Sequence, residues 1–154
     1  MHHKARGFTL LELMVVVALV AMATAAVTFA LRDDGGTRLE REGLRLSAML
    51  ESARAQSRTS GLPVVWRLLP QGFEFVGLPT ARDGRALPGS MAGPRAWLSP
   101  DTRAVVLQPP GAQVLVLGPE PLIAAQRVEL VQGERRLTLV TDGLAPFSAL
   151  GPLP

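Results

Sequence analysis

Hydrophobic residues form one almost unbroken run near the start of the chain, followed by shorter segments. From Leu13 to Leu31 no residue is charged, and the hydroxyl groups in that run belong to Thr24 and Thr28. A helix from Phe8 to Leu31 would be about 36 Å long at 1.5 Å per residue, which spans a hydrocarbon core of about 30 Å with some tilt. Because apolar residues occur on every face, the pattern favours a membrane-spanning helix over an amphipathic core helix.

A secretory signal peptide is the alternative interpretation of this segment. A cationic start, an apolar stretch and Ala-x-Ala sequences at Ala21–Ala23 and Ala23–Ala25 all fit it. Against it, the apolar sequence continues past those alanines, and Glu12 places a carboxylate where a signal peptide stays apolar. Since Lys4 and Arg6 precede the run, the positive-inside rule predicts a cytoplasmic N-terminus and a C-terminal domain across the membrane.

The segment of residues 32–36, RDDGG, interrupts the apolar pattern with charges and two glycines. Each glycine costs about 1 kcal/mol relative to alanine in a helix, so we predict a hinge or a juxtamembrane loop there. Residues 37–60 then predict an amphipathic helix that continues the spine, with Thr37 as N-cap. Its apolar or small seam consists of Leu39, Gly43, Leu46, Leu50, Ala53 and Ser57. Its predicted solvated face carries Arg41, Arg45, Glu51 and Arg54.

Residues 61–154 change to short apolar segments separated by glycine and proline, which predicts antiparallel strands and an α+β fold. One hairpin joins VVWRLL to FEFVGL, and another lies in VELVQGERRLTLV. Further strands are predicted at RAVVL and QVLVLG. Residues 79–95 are rich in proline and glycine, so we predict an exposed, mobile loop that takes no part in a ladder.

Composition narrows the classes of function. There is no cysteine, and both histidines, His2 and His3, precede Gly7. This distribution excludes Ser–His and Cys–His catalysis and imidazole or thiolate zinc sites in the rest of the chain. Carboxylate chemistry or a Ser–Lys variant is what remains, and the only lysine is Lys4, so we predict a non-enzymatic protein with no metal or cofactor. The formal net charge is +3, and two of the basic residues lie in the first seven positions. A basic surface for nucleic acid is therefore not predicted.

The sequence RGFTLLELMVVVALVAMA, from Arg6 onward, resembles the N-terminus of type IV pilins and type II secretion pseudopilins. The resemblance implies that residues 1–7 are a leader that a prepilin peptidase recognises through Lys4, Arg6, Gly7 and Phe8. That enzyme would cut after Gly7 and N-methylate Phe8. Glu12 matches the family's assembly glutamate. A carboxylate at membrane depth costs about 2.5–3.5 kcal/mol on insertion scales, and the Phe8 amine of a neighbouring subunit would be its partner.

The remainder of the chain resembles the family of minor pseudopilin H (GspH). LEREGLRLSAMLESARAQSRTSGLPVVWRL is similar to that family's passage from helix to first strand. QVLVLGPEPLIAAQRVEL and RRLTLVTDGLAPF are similar to its closing strands. The resemblance implies a pilin-like fold in which a long N-terminal hydrophobic spine helix, with its membrane part at residues 8–31, precedes two small antiparallel sheets. The acidic calcium-binding loop of the major pseudopilin has no counterpart here, so we expect no structural calcium.

The implied function is that of a minor pseudopilin in the tip complex that initiates the pseudopilus of a type II secretion system, which exports folded proteins across the outer membrane. The implied location is the inner membrane, with one pass and a periplasmic domain. Implied partners are other minor pseudopilins, the major pseudopilin, prepilin peptidase and membrane lipid, with neither nucleic acid nor a small-molecule substrate. The alternatives are a minor pilin of a type IV pilus and a membrane-anchored periplasmic binding protein or enzyme.

Overall fold

A long helix followed by eight short strands makes up the computed structural model, which describes residues 10–81, 84 and 89–150, and the side chains of all of these except 28–35. The chain divides into two compact units, one up to Gly35 and one from Gly36 onward. Helix α1 is assigned continuously to Leu10–Ser60. Thr37 is therefore an internal helical residue rather than the predicted N-cap, and the hinge at residues 32–36 stays a prediction.

The predicted seam of the helix is confirmed in the second unit. Its members are all buried, and Leu46, Leu50, Ala53 and Ser57 are completely inaccessible at 0% exposure. The helix ends at Ser60 because Gly61 adopts a left-handed φ of 69°. Its N–H donates to the carbonyl oxygen of Ser57 at 2.9 Å, which satisfies a helix-terminal acceptor.

In the described residues, eight strands form two four-stranded antiparallel sheets, which confirms the predicted fold class. The first sheet has the order β3-β2-β1-β5, and the second has the order β4-β6-β7-β8. The strands are β1 Val65–Leu69, β2 Gly72–Val76, β3 Gly93–Ala96, β4 Thr102–Gln108, β5 Val114–Val116, β6 Gln126–Gln132, β7 Arg135–Thr141 and β8 Ser148–Leu150.

Both predicted hairpins are confirmed, and the structure supplies their register. In the first, Leu69 pairs with Gly72 across the turn, and in the second Gln132 pairs with Arg135. The predicted segments RAVVL and QVLVLG contribute β4 and β5. Turn residues therefore marked these connections correctly.

Two strands depart from the predictions. Gly93–Ala96 forms β3 and pairs with β2, so the proposal that residues 79–95 take no part in a ladder is wrong for their C-terminal end. Pro94, which lacks a backbone N–H, is tolerated because β3 is an edge strand. The outer side of an edge strand has no neighbouring strand that needs a hydrogen-bond donor. Residues 82–83 and 85–88 of this segment lie outside the described residues. The short strand β8, which pairs with β7, was not predicted.

One hydrophobic core joins the helix seam to both sheets. An aromatic cluster lies within it, where the ring centroids of Phe73 and Trp97 are 4.8 Å apart and those of Trp66 and Phe73 are 6.0 Å apart. Gly43 lets the helix backbone approach β7 closely, because a Cβ atom at this position would overlap the side chain of Leu137 on that strand. The small residue in the seam therefore lets the second sheet pack directly against the helix backbone.

Candidate functional site

The helical stretch Leu10–Val27 has the surface properties that the sequence predicts for a membrane segment. It contains 18 residues, none of them buried by the rest of the described chain. Leu10 is 78% exposed and Met22 is 71% exposed. Within the described part of the chain, this is the one helical stretch both long and apolar enough to cross a membrane. Its apolar surface needs a covering that the described residues do not supply.

Two polar groups within this stretch have distinct environments. The hydroxyl of Thr24 donates to the carbonyl oxygen of Val20 at 2.7 Å, so the helix itself satisfies that donor. Glu12 is exposed and lies in the first described turn of the helix. The other predicted site residues, Lys4, Arg6, Gly7 and Phe8, lie outside the described residues. Their grouping with Glu12 stays a prediction.

A buried carboxylate connects the second unit's helix to the segment between β3 and β4. Glu42 is 1% exposed and accepts a hydrogen bond from the backbone N–H of Leu98. It also forms an ion pair with Arg45 at 2.9 Å. The Nη1 atom of Arg45 donates to the carbonyl oxygen of Ala96 at 3.2 Å. The charged pair therefore fixes the position of this connection against the helix.

Arg54 is the main correction to the predicted solvated face. It is 2% exposed, and its guanidinium donates to the carbonyl oxygens of Gly143, Pro121 and Ala145, the last two at 3.3 Å. Glu51 lies 3.8 Å from the same guanidinium. Position 54 directly follows a seam residue, and a long side chain there can reach loop carbonyls that no strand satisfies.

The loop that Arg54 reaches is held by its own polar side chains. Asp142 accepts hydrogen bonds from the N–H groups of Ala145 at 2.7 Å and Leu144 at 2.9 Å. These donors, that of Ala145 first, lower the pKa of Asp142 from its ordinary value of 3.8. From the helix, Glu51 accepts the N–H of Phe147 at 2.9 Å. Helix and loop thus form one network.

Sequence reasoning missed the buried charges Glu42 and Arg54. A usable indication was present, because each is adjacent in sequence to a seam residue, Gly43 or Ala53. Periodicity alone assigns such flanking positions to solvent, since it cannot show which loops will cover them. In the described part of the chain, no group of three or more His, Cys, Asp or Glu side chains is placed to hold a metal ion.

Comparisons with known proteins agree with the two resemblances. Residues 2–28 match the family model described as the prokaryotic N-terminal methylation motif. The chain is 40% identical over 76 residues to the type II secretion system protein H of Escherichia coli (strain K12). That match covers 44% of this chain and 45% of the relative, so it spans less than half the relative's length. No solved structure matches significantly.

Proposed function

We propose that this protein is a non-enzymatic minor pseudopilin of a type II secretion system. The observation that carries the proposal is an apolar helical stretch, Leu10–Val27, whose surface the described chain leaves uncovered. It coincides with the match to the N-terminal methylation motif. Similarity to the secretion protein supports the choice of system. An apolar segment of this kind is stabilised when lipid or the helices of neighbouring subunits shield it from water.

The proposal includes processing at the N-terminus. Prepilin peptidase would recognise Lys4 and Arg6, cut after Gly7 and methylate the new amine of Phe8. The motif match over residues 2–28 includes all of these positions. The mature helix would then anchor the protein in the inner membrane by one pass, with the β domain in the periplasm.

Glu12 would act in assembly. Its carboxylate lies within the apolar segment, where a charge is unfavourable. In a filament, the amine of Phe8 on a neighbouring subunit can approach that carboxylate and form an ion pair. That ion pair would link the two subunits, and the other minor pseudopilins and the major pseudopilin are the proposed neighbours.

A minor pilin of a type IV pilus remains the second candidate, because the methylation motif by itself does not separate the two systems. Deleting the gene in the bacterium of origin distinguishes them. Loss of exported proteins from the medium, with normal surface pili, supports the secretion system. Loss of pili with normal export supports the pilus, and neither loss contradicts both proposals.

Processing is tested by intact-mass analysis after co-expression with a prepilin peptidase. We expect a product that begins with N-methylated Phe8. A Gly7→Leu variant should remain uncut, since it replaces the residue before the cleaved bond with a bulky one. A product that begins after Ala23 or Ala25 would instead favour the signal-peptide interpretation.

The role of Glu12 is tested by co-purifying Glu12→Ala and Glu12→Gln proteins with their partner pseudopilins. Both variants should insert and be cut, because neither change alters the cleavage site. Both should assemble poorly, since stranding one member of a buried ion pair typically costs about 3–5 kcal/mol. Normal complex formation with normal export would contradict the pairing.

A further inference from the structure

Strand β4 differs from the other edge strands of the two sheets. It has seven residues, Thr102–Gln108, without proline. By contrast, β5 and β8 have three residues each, and β3 has four and contains Pro94. Short length and proline are common ways of protecting a sheet edge against further pairing. Among the described strands, β4 pairs with β6 alone, so it is the long edge that lacks both of these devices. Its register on β6 shifts at a bulge between Val106 and Gln108, whereas residues 102–106 pair with β6 without a shift.

The register determines which backbone groups of β4 face away from β6. Gln132 and Arg135 flank a two-residue turn, which makes them a hydrogen-bonded pair, and such pairs alternate along an antiparallel ladder. Residues 127, 129 and 131 of β6 therefore direct their backbone groups toward β4. Arg103 and Val105, opposite residues 131 and 129, bond to β6, whereas Ala104 and Val106 point their N–H and C=O groups outward.

A second observation supports this assignment. Thr102 lies on the outward-pointing side of the same alternation, and its N–H donates away from the sheet, to Ser99 at 3.1 Å. In the described part of the chain, no hydrogen bond is recorded to the outward groups of Ala104 or Val106. Two consecutive outward positions of β4 thus offer two donors and two acceptors at the spacing of a β ladder.

A groove follows this edge. Its volume is about 380 Å³, and its walls are Ala104, Val105 and Val106 of β4, Leu68 of β1 and the loop Gly111–Gln113. Successive side chains of a strand alternate between faces. A groove lined by three consecutive residues therefore runs along the backbone rather than over one face. No β6 residue lines it, which places it on the free side of β4.

The side chains around the edge define what would fit. Val105 is 49% exposed and Leu107 is 42% exposed, so the outer face offers aliphatic surface. Arg103 is the one charged residue of β4, and it is exposed. Its Nη1 atom donates to the carbonyl oxygens of Pro100 at 2.7 Å and Thr102 at 2.9 Å. In the described part of the chain, no carboxylate forms an ion pair with this guanidinium.

We propose that the free edge of β4 binds an extended segment of a second, different protein chain by strand addition. The segment would hydrogen-bond to Ala104 and Val106, place aliphatic side chains against Val105 and Leu107, and present a carboxylate to Arg103. Backbone hydrogen bonds give such a contact its affinity, and the alternating side chains give it specificity. The inference concerns a surface of the β domain and does not depend on the proposed secretion function.

The test uses the full chain in detergent micelles and a fluorescent acetylated peptide, Val-Thr-Val-Thr-Glu, whose alternation matches the edge in antiparallel orientation. Anisotropy should report weak, saturable binding. Methylating both threonine nitrogens removes the two donors that face β4 and should weaken binding roughly tenfold. Replacing the glutamate by lysine should weaken it several-fold, with less salt dependence, since it puts two like charges together.

The matched protein variants are Ala104→Pro and Ala149→Pro. Both substitutions put proline on an edge strand of the second sheet at a position whose N–H points outward, as the register of β8 on β7 indicates for Ala149. Ala104→Pro should weaken peptide binding roughly tenfold, and Ala149→Pro should leave it unchanged. Tryptophan fluorescence during urea unfolding checks that both proteins remain folded.

Three results would overturn the proposal. The first is equal peptide binding by the wild type and a folded Ala104→Pro variant. The second is absence of binding up to about 1 mM peptide, where even a contact of about 4 kcal/mol would be detected. The third is a dimer of the full chain that Ala104→Pro abolishes, which would assign the edge to a second copy instead.

Discussion

Helix α1 contains two stretches that differ in how their apolar surface is covered: it is exposed in the first and buried in the second. In Leu10–Val27 every face is apolar and exposed, and Leu19 is 61% exposed. In the second unit a single face is apolar, and Leu50 on that face is completely buried. A stripe on one face can be covered by two small sheets, whereas a fully apolar cylinder cannot. The first stretch therefore needs lipid or other subunits, and the second is completed by its own domain.

Polar side chains in the two stretches find their hydrogen-bond partners at very different distances along the sequence. The hydroxyl of Thr24 is satisfied four residues away, at Val20. Arg54 reaches Gly143, 89 residues away in sequence. Local satisfaction suits a helix whose surroundings provide no donors or acceptors. Long-range satisfaction ties the helix to a particular tertiary structure, and its loss should be costly.

The largest expected contrast comes from the same substitution in each stretch. Leu50→Ala should lower the free energy of unfolding of the domain by about 2–5 kcal/mol, because it leaves a cavity in the core. Leu19→Ala should change it by less than about 0.5 kcal/mol, because that side chain is 61% exposed. Urea unfolding of the full chain in micelles, followed by fluorescence of the buried Trp66 and Trp97, measures both. Similar losses would refute the contrast.

A smaller contrast separates buried and exposed cations on the same helix. Arg54→Met should destabilise the domain by roughly 3 kcal/mol, because several loop carbonyl oxygens lose their donor. The control is Arg58→Met in the exposed last turn, where loss of the favourable helix-dipole interaction costs less than about 1 kcal/mol. The same unfolding assay applies. If both variants were equally stable, the Arg54 network would not support the loop.

The boundary between the two stretches and the C-terminal end of the helix are tested by glycine substitutions of opposite expected sign. Gly36→Ala should favour the helical conformation by about 1 kcal/mol, because alanine is the better helix former. The added Cβ atom would lie 2.8 Å from Nη1 of Arg135, and the end of that flexible side chain can move aside. Gly61→Ala should destabilise by about 1 kcal/mol, because alanine is strained at its φ of 69°.

Hydrogen exchange of the backbone amides around residues 32–38 measures the first effect. If these residues form a hinge, exchange should slow in Gly36→Ala relative to the wild type. Unchanged, already slow exchange would show that the segment is a stable helix without the substitution, and the predicted hinge would be wrong.

The smallest effect concerns acid stability of the loop that Arg54 holds. The pKa of Asp142 is lowered in the folded protein, chiefly by the N–H groups of Ala145 and Leu144. The ionised form therefore stabilises the fold above the ordinary pKa of 3.8, and this contribution is lost as the pH falls through the lower folded-state value. Asp142→Asn, which can still accept both hydrogen bonds, should reduce the loss of stability below about pH 4. An unaltered pH profile would contradict this assignment.

Local patterns predicted much of the fold. The seam from Leu39 to Ser57 and both hairpins follow from periodicity and turn residues, because those features depend on neighbours a few positions apart. Strand β3 was missed because Pro94 opposes a strand assignment except at a sheet edge, and edges are known after the strands are ordered. For the candidate site, the apolar stretch was predicted with its surface properties, and the leader positions remain predictions.

By itself, the sequence determined where apolar surface would exceed what one small domain can cover, since Leu13 to Leu31 lacks charge over a length that spans a bilayer. It also determined the helix seam and the hairpin turns. Tertiary structure alone decided that Glu42 and Arg54 are buried, because their partners are backbone groups of distant connections. It also decided that β4 is an open edge, because strand order and hydrogen-bond direction depend on pairings between remote segments.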